Sequence, residues 1–397
     1  MVDNDAARAL AREAGQQSIV LLENKAVGGS KLLPLSKTKL AFVGPHADAT
    51  QAMLSNYHGD NELVNDHSPL AAAQKRWPSA TITHAVGVND TTSDDKSGFA
   101  AAVAAAKAAD VAVVFVGLTP CNGWGPTPCN EGESHDRNEH LDSAGKIGLP
   151  GSQQALVEAI AAAQPNYVVV LINGGALGVD WIAKNSPAVV EAFYPGEMGG
   201  DAIVDVLSGD YNPTGKLPVT VYPAAFAATR PITDMSLTSV DGITHLHYTG
   251  TPLWKFGAGE SYTKFSVSEV DDTPDSATYS PDDFAPSPNF LTAKALSISG
   301  AGSYELEVTN TGTVAGGFKL LGFVTCDDAS VGFPVQRLFG FAGLESLAPG
   351  ESRTVSLPRP TARQLSVADA RGHSYLHPAS YTVRVPVGLS CRSIAMP

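Results

Sequence analysis

Asp110-Val111-Ala112-Val113-Val114-Phe115-Val116-Gly117 is the stretch that decides the fold. The apolar run between Asp110 and Gly117 is continuous rather than alternating. A strand of this kind suits the middle of a parallel sheet covered on both faces. The neighbouring segments agree. Upstream, Phe99 to Ala109 is alanine-rich and predicts a helix. Lys39-Leu40-Ala41-Phe42-Val43-Gly44-Pro45 predicts a buried strand ending in a turn. Leu70 to Arg76 predicts a helix ended by Pro78, and Ala6 to Leu22 an amphipathic helix with Ala7, Leu10, Ala14 and Leu21 available for one face. Downstream, Gly151 to Ala163 is expected to be helical, Tyr167 to Ile172 and Ala188 to Phe193 extended, and Gly200 to Leu207 helical. This alternation predicts an α/β domain, an αβα sandwich with a mostly parallel sheet, over residues 1–265. Functional residues are then expected on loops at the carboxyl ends of the strands.

After Phe265 the composition changes. Residues 266–286 are rich in Ser, Asp, Pro and Thr and are expected to form a linker. Residues 287–397 predict an all-β domain. Tyr304-Glu305-Leu306-Glu307-Val308 alternates, and Lys319 to Val324, Arg353 to Leu357 and Tyr381 to Val385 are further strands. Asn310-Thr311-Gly312, Pro349-Gly350 and Asp369 to Gly372 supply the turns. Such spacing suits a β-sandwich of the immunoglobulin or fibronectin kind.

At 397 residues the chain is long enough for two or three domains. A formal net charge of −14 argues against nucleic acid or an anionic membrane as partner, since a phosphate surface requires a basic face. No apolar run is long enough to span a bilayer. The acidic start, Met1-Val2-Asp3-Asn4-Asp5, does not resemble a signal peptide. Cys121, Cys129, Cys326 and Cys391 allow three pairings. The preferred pairing joins the near pair, Cys121–Cys129, and the distal pair, Cys326–Cys391. Four reduced thiols are the alternative. Asn89-Asp90-Thr91 is an N-glycosylation sequon, consistent with secretion.

The segment after the central strand carries the candidate chemistry. Between Thr119 and Arg137 it contains Pro, Gly and two cysteines, which stiffen it. Glu131, Glu133, Asp136 and Arg137 lie within seven residues. Clustered carboxylates beside an arginine can hold one acid protonated and another ionised, the division that glycoside cleavage needs. By composition alone a solvated acidic loop is the favoured reading. Asn173-Gly174-Gly175 lacks the remainder of a dinucleotide or P-loop pattern. No G-x-S-x-G, H-E-x-x-H or paired C-x-x-C occurs, so neither a serine nucleophile nor a zinc centre is expected. His245 and His247 would share the face of a strand and are expected to be surface residues.

Several stretches, in order, resemble glycoside hydrolase family 3 in its β-xylosidase and β-glucosidase branch. Ala11 to Asn24, containing Ser18-Ile19-Val20-Leu21-Leu22-Glu23-Asn24, resembles the family's E-A-x-x-S-I-V-L-L-K-N. Leu33-Pro34-Leu35 and Ala41 to Ala47 resemble L-P-L and A-V-I-G-P-N-A. Ser55-Asn56-Tyr57-His58-Gly59 resembles the G-N-Y-x-G of xylosidases, and Leu149-Pro150-Gly151-Ser152-Gln153 is similar to L-P-G-x-Q. Tyr194 to Gly200, Asn212 to Pro218 and Phe256 to Thr263 are similar to Y-P-G-Q-x-G-G, N-P-x-G-R-L-P and F-G-x-G-L-S-Y-T. In the tail, Val308 to Gly312 and Leu347 to Ser352 resemble the family's fibronectin-III-like domain.

The resemblance implies a retaining exo-glycosidase acting on terminal β-linked sugars, with no cofactor and no metal. Glu131-Gly132-Glu133-Ser134-His135-Asp136-Arg137 resembles E-x-E-x-x-D-R. Glu133 is then the implied acid/base, Glu131 the runner-up, and Asp136 and Arg137 the residues that orient the loop. The implied substrate is an oligosaccharide or aryl glycoside. β-1,4-Xylosidase activity in xylan breakdown comes first, β-glucosidase is the alternative, and a non-catalytic carbohydrate-binding or interaction module is an alternative of another class. Family members usually carry T-Y-R-x-Y or T-Y-K-x-Y where this chain has Thr244-His245-Leu246-His247-Tyr248, which implies the loss of a basic contact. The family also begins with a TIM-type barrel that bears the nucleophilic aspartate. The resemblance covers only the domains beyond that barrel, so the nucleophile is expected from another segment or chain. Secretion of the complete protein is likewise implied.

Overall fold

The computed structural model describes residues 3–36, 38–55, 63–119, 146–231, 233–270, 302–326, 328, 330, 332–369, 371–375, 381–387 and 390–396. The chain divides into two compact units. The first comprises Met1–Met235 with Thr251–Tyr262, the second Ser236–Gly250 with Thr263–Pro397.

In the first unit the elements run α1 (Asp5–Ser18), β1 (Val20–Asn24), a small hairpin of β2 (Ala26–Val27) and β3 (Ser30–Lys31), then β4 (Lys39–Val43), α2 (Pro69–Arg76) and β5 (Thr81–Ala85). They continue with α3 (Phe99–Ala108), β6 (Val111–Gly117), α4 (Gln153–Ala163), β7 (Tyr167–Ile172), α5 (Asp180–Asn185), β8 (Ala188–Glu191) and α6 (Gly199–Ser208). Six strands form one sheet in the order β1-β8-β7-β6-β4-β5. The five strands from β5 to β8 in that order are mutually parallel, while β1 pairs with β8 antiparallel at the edge.

Every residue of β6 is buried because both faces are covered. Val111, Val113 and Phe115 pack with Leu70, Ala73, Ile203 and Leu207 of α2 and α6. Ala112, Val114 and Val116 pack on the opposite side with Ala102, Ala106, Leu156 and Ile160 of α3 and α4. The period of two along the strand thus sends alternate side chains into two separate cores. The result is the expected αβα sandwich.

The expected helix over Ala6 to Leu22 is shorter than predicted. It ends at Ser18, and Ile19 is already extended. Leu21 enters one core while Val20 and Leu22 enter the other, a division only a strand can make. The edge strand β5 has no buried residue, so it carries no apolar run that would have announced it.

The second unit contains a helical turn, α7 (Thr244–His247), followed by β9 (Phe265–Glu269), β10 (Ser303–Asn310), β11 (Gly316–Cys326), β12 (Arg337–Leu347) and β13 (Ser352–Pro358). Then come α8 (Ala362–Leu365), the small hairpin β14 (Val367–Ala368) and β15 (Ser374–Tyr375), β16 (Tyr381–Val387) and β17 (Ser390–Met396). One sheet has the order β13-β10-β9 and a second β12-β11-β16-β17. Leu306 and Val308 of the first and Leu320, Val324 and Val383 of the second meet in a shared core. This is an all-β sandwich.

Two boundaries differ from expectation. Residues 266–269 were expected in a linker but belong to β9, antiparallel to β10. Ser236–Gly250 was expected in the first domain but groups with the second. There His245 and His247 sit on a helical turn rather than a strand, with the His245 ring edge-on to Phe323. The Cys326–Cys391 bridge is also a correction. Cys326 lies opposite Tyr381 at one end of β16, whereas Cys391 lies opposite Pro386 toward the other. Five residues of strand at about 3.4 Å each, together with the width of two strand spacings, exceed the roughly 7 Å Cα separation that a disulfide tolerates.

Candidate active site

The order of the parallel strands fixes where a ligand would sit. From β4 the chain first adds β5 on one side, then crosses to β6 on the other and continues through β7 and β8. The direction of winding therefore reverses between β4 and β6. In open parallel sheets ligands bind outside the carboxyl ends of the strands at this switch point.

Two glycines shape that edge. Gly44 follows β4 with φ 107°, and a Cβ there would lie 2.2 Å from the Phe115 carbonyl oxygen. Gly117 closes β6 with φ 153°, and its Cβ would lie 1.9 Å from the Ile172 carbonyl oxygen. Only glycine fits either position. Together they let the strand ends approach one another and turn outward.

Leu118 and Thr119 continue from β6. The candidate acid/base Glu133, the runner-up Glu131, the orienting pair Asp136 and Arg137, and Cys121 and Cys129 all belong to residues 120–145, outside the described residues. The xylosidase-like stretch Asn56 to Gly59 also lies outside the described residues. On the returning side the Ile147 N–H donates to the Ala224 carbonyl at 3.1 Å, and Gly178 N–H donates to the Ile147 carbonyl at 2.7 Å.

Around these stems lie buried polar groups that sequence reasoning did not single out. His46, just beyond Gly44, is 2% exposed, and its Nε2 has no hydrogen-bond partner among the described residues. Burial depresses its pKa to about 4, against an opposing hydrogen bond to the Leu118 backbone, so the imidazole is neutral at pH 7. Glu191 ends β8 and is 5% exposed. Burial pushes its carboxyl up to about 8, although the Phe193 N–H donates to its Oε1 at 2.9 Å and the Asn173 amide also favours the charged form. Glu191 is therefore mainly protonated at pH 7. Asn173, at the end of β7, donates to the Gly175 carbonyl at 3.1 Å, and its Oδ1 has no partner among the described residues. Gly174 admits the Tyr194 ring, which a Cβ would meet at 2.3 Å. The Asn173-Gly174-Gly175 turn thus serves packing here. A sequence signal for Glu191 exists in retrospect, namely a charge closing the apolar run of a doubly covered strand.

Among the described residues no group of three or more His, Cys, Asp or Glu side chains is arranged to hold a metal ion. No helix among them is long and apolar enough to cross a membrane.

The first unit is thus a three-layer αβα sandwich with buried polar groups at the carboxyl ends of β4, β7 and β8, and the second is an all-β sandwich. Residues 19–262 match the glycosyl hydrolase family 3 C-terminal domain, and residues 321–388 match the fibronectin type III-like domain. The chain belongs to glycosyl hydrolase family 3. It is 32% identical to exo-1,4-beta-xylosidase xlnD of Aspergillus oryzae over 389 residues, covering 95% of this chain and 46% of that protein. It is also 32% identical to probable exo-1,4-beta-xylosidase bxlB of Aspergillus clavatus, covering 98% of this chain and 47% of that protein. Among solved structures, a family 3 exo-beta-xylosidase (XlnD) in complex with a xylobiose aziridine activity-based probe superposes with a TM-score of 0.81 at 28% identity. That superposition covers 99% of this chain and 48% of the other. A beta-glucosidase from Listeria innocua, in complex with isofagomine, shares the fold with a TM-score of 0.74 at 23% identity, over 100% of this chain and 50% of the other. The chain thus spans about half the length of the relatives it matches.

Proposed function

We propose that this chain is the acid/base-bearing part of a retaining exo-glycosidase that hydrolyses terminal β-linked sugars, with β-1,4-xylosidase activity in xylan breakdown. The observation that carries the reading is the origin of residues 120–145. In a family 3 domain, the segment with the E-x-E-x-x-D-R pattern leaves the central strand β6 at the topological switch point. The exo-1,4-beta-xylosidase relatives support xylose over glucose.

Glu133 acts as the acid/base, with Asp136 and Arg137 orienting the loop. A carboxylate from a TIM-type barrel attacks the anomeric carbon, the glycosidic C–O bond breaks, and the Glu133 proton passes to the leaving oxygen. Water then attacks the glycosyl-enzyme, Glu133 takes a proton from it, and the barrel carboxylate leaves with its electron pair. The two carboxyls must stand about 5 Å apart, so the reaction needs the barrel. The doubled length of the relatives supports such a partner, in the same polypeptide or another. The Asn89 sequon and a Cys121–Cys129 bridge fit an extracellular setting.

The purified chain should release no nitrophenol from a nitrophenyl β-xyloside, and addition of a complementing barrel should restore release. Ordinary turnover by the chain alone would contradict the division of the catalytic pair. A complemented enzyme that cleaved the glucoside and left the xyloside intact would make it a β-glucosidase. Sugar binding with no turnover in any assembly would make it a binding module.

A further inference from the structure

Gln153 opens α4 and is fully buried, yet its side chain makes no bond to its own helix. Its Oε1 accepts from the Gly117 N–H at 2.8 Å, and its Nε2 donates to the Gly117 carbonyl at 2.9 Å. The same Nε2 donates to the Thr91 carbonyl at 2.8 Å and lies 3.3 Å from the Pro150 carbonyl. One amide thus grips both backbone polar groups of the last residue of β6. It also reaches the chain where it returns before α4.

A burial this complete is unfavourable for an amide unless its hydrogen bonds are made, and here they are. Few side chains can replace it. A carboxylate has acceptors but no donor for the three carbonyls, and an apolar residue would orphan the Gly117 N–H and C=O. A second set of ties runs in parallel. The Thr91 and Thr119 hydroxyls are 3.2 Å apart. The Ser152 N–H donates to the Ser93 carbonyl at 2.9 Å, and Ser152 Oγ donates to the Asp94 carbonyl at 3.0 Å. The outgoing stem, the returning stem and the 91–94 turn are therefore bound into one block beside the switch point. The next residue is tied as well, the Leu118 N–H donating to the Ile172 carbonyl at 2.9 Å.

We propose that Gln153 is a positioning residue for the acid/base, holding the peptide at Gly117 so that the segment carrying it departs β6 in one direction. This rests on the reading that the acid/base lies in residues 120–145. It deepens that reading by naming the group that sets where the segment starts. A displacement of about 1 Å at a reacting group can cost on the order of a hundredfold in rate, so a buried clamp at the stem has a catalytic consequence without touching substrate.

The test uses the assembled enzyme, this chain with its barrel, and aryl β-xylosides of graded leaving group. A dinitrophenolate departs without protonation, whereas an unsubstituted phenol needs the acid. Gln153→Met keeps the volume and loses the bonds. Its kcat/KM should fall about tenfold or more with the phenyl xyloside and by less than about threefold with the dinitrophenyl xyloside. Thr119→Val removes a tie from the stem without opening the core, should fold in any case, and should show the same leaving-group dependence at smaller size. Equal losses for both substrates in both variants, as a purely structural role would give, overturn the proposal, as does wild-type kcat/KM in both. Glu133→Gln, measured alongside, separates the two claims. If it loses activity with phenyl xyloside while the clamp variants do not, the clamp is wrong and the acid/base assignment stands. If the clamp variants show the dependence and Glu133→Gln does not, the clamp stands and the acid is another residue of the segment.

Discussion

Arg12 on α1 and Asp205 on α6 are joined by two parallel hydrogen bonds, of 2.6 and 2.5 Å. Gln16 donates to the same carboxylate at 2.6 Å, and Arg12 also faces Asp201, whose carboxylate meets His67. Asp205 is almost fully buried, while Arg12 keeps 40% of its side chain exposed. Breaking such a pair from one side strands a charge in the interior. Arg12→Leu should therefore destabilise the first unit by roughly 2 kcal/mol, discounted for the exposure of Arg12. Chemical denaturation checks this, and Arg12→Leu with Asp205→Leu should recover part of the loss. Equal losses in the single and double variants would mean that the ion pair is not what holds α1 to α6.

Glu191 predicts a pH dependence. Its folded pKa is raised from 4.5 to about 8 by burial. The folded state therefore binds more protons than the unfolded state between these values. The stabilising effect is full below about pH 4.5 and is lost as pH rises through 8, on the order of a few kcal/mol. Glu191→Gln removes the titration, so its stability relative to the parent should rise between pH 5 and pH 8. Thermal melts at both pH values measure it. A difference that does not change with pH would place no titrating carboxyl at that site.

What could be read from the sequence depends on burial. The run Val111 to Gly117 announced itself because both its faces are covered, and the same is true of Tyr167 to Ile172. Ile19 to Leu22 was absorbed into a helix because an amphipathic period before it masked four residues that serve two cores. The edge strand β5 and the half-exposed β12 were invisible, since neither carries the run of buried residues that a pattern detects. The acidic segment was singled out by its resemblance to the family's E-x-E-x-x-D-R, since composition alone favoured a solvated loop. His46, Gln153 and Glu191 did not, because a buried polar residue looks like any other until its partners are known.

Asn310 predicts how the second unit depends on one amide. It is fully buried and makes four bonds. Its Oδ1 accepts from Thr263 Oγ1 at 2.7 Å and Gly312 N–H at 3.0 Å, and its Nδ2 donates to the Val314 and Leu347 carbonyls at 2.8 and 2.9 Å. Asn310→Ala orphans two carbonyls within the sandwich and should cost about 2 to 3 kcal/mol. Asn310→Asp, which keeps the acceptors and loses the donors, should cost a similar amount at neutral pH. Unfolding monitored by β-sheet circular dichroism checks both. A loss below about 0.5 kcal/mol for the alanine variant would mean that water replaces the amide.

The central claim is that the acid/base of a retaining glycosidase is Glu133, on the segment that leaves β6. The most direct measurement is Glu133→Gln in the barrel-assembled enzyme, assayed on phenyl and dinitrophenyl β-xylosides with and without added azide. The predicted result is a loss of about 100-fold or more in kcat/KM for the phenyl xyloside, with much less loss for the dinitrophenyl xyloside. Azide, an anion that needs no general base, should raise turnover of the latter and yield the glycosyl azide. Full activity on phenyl xyloside, or an equal loss on both substrates with no glycosyl azide, would contradict the assignment.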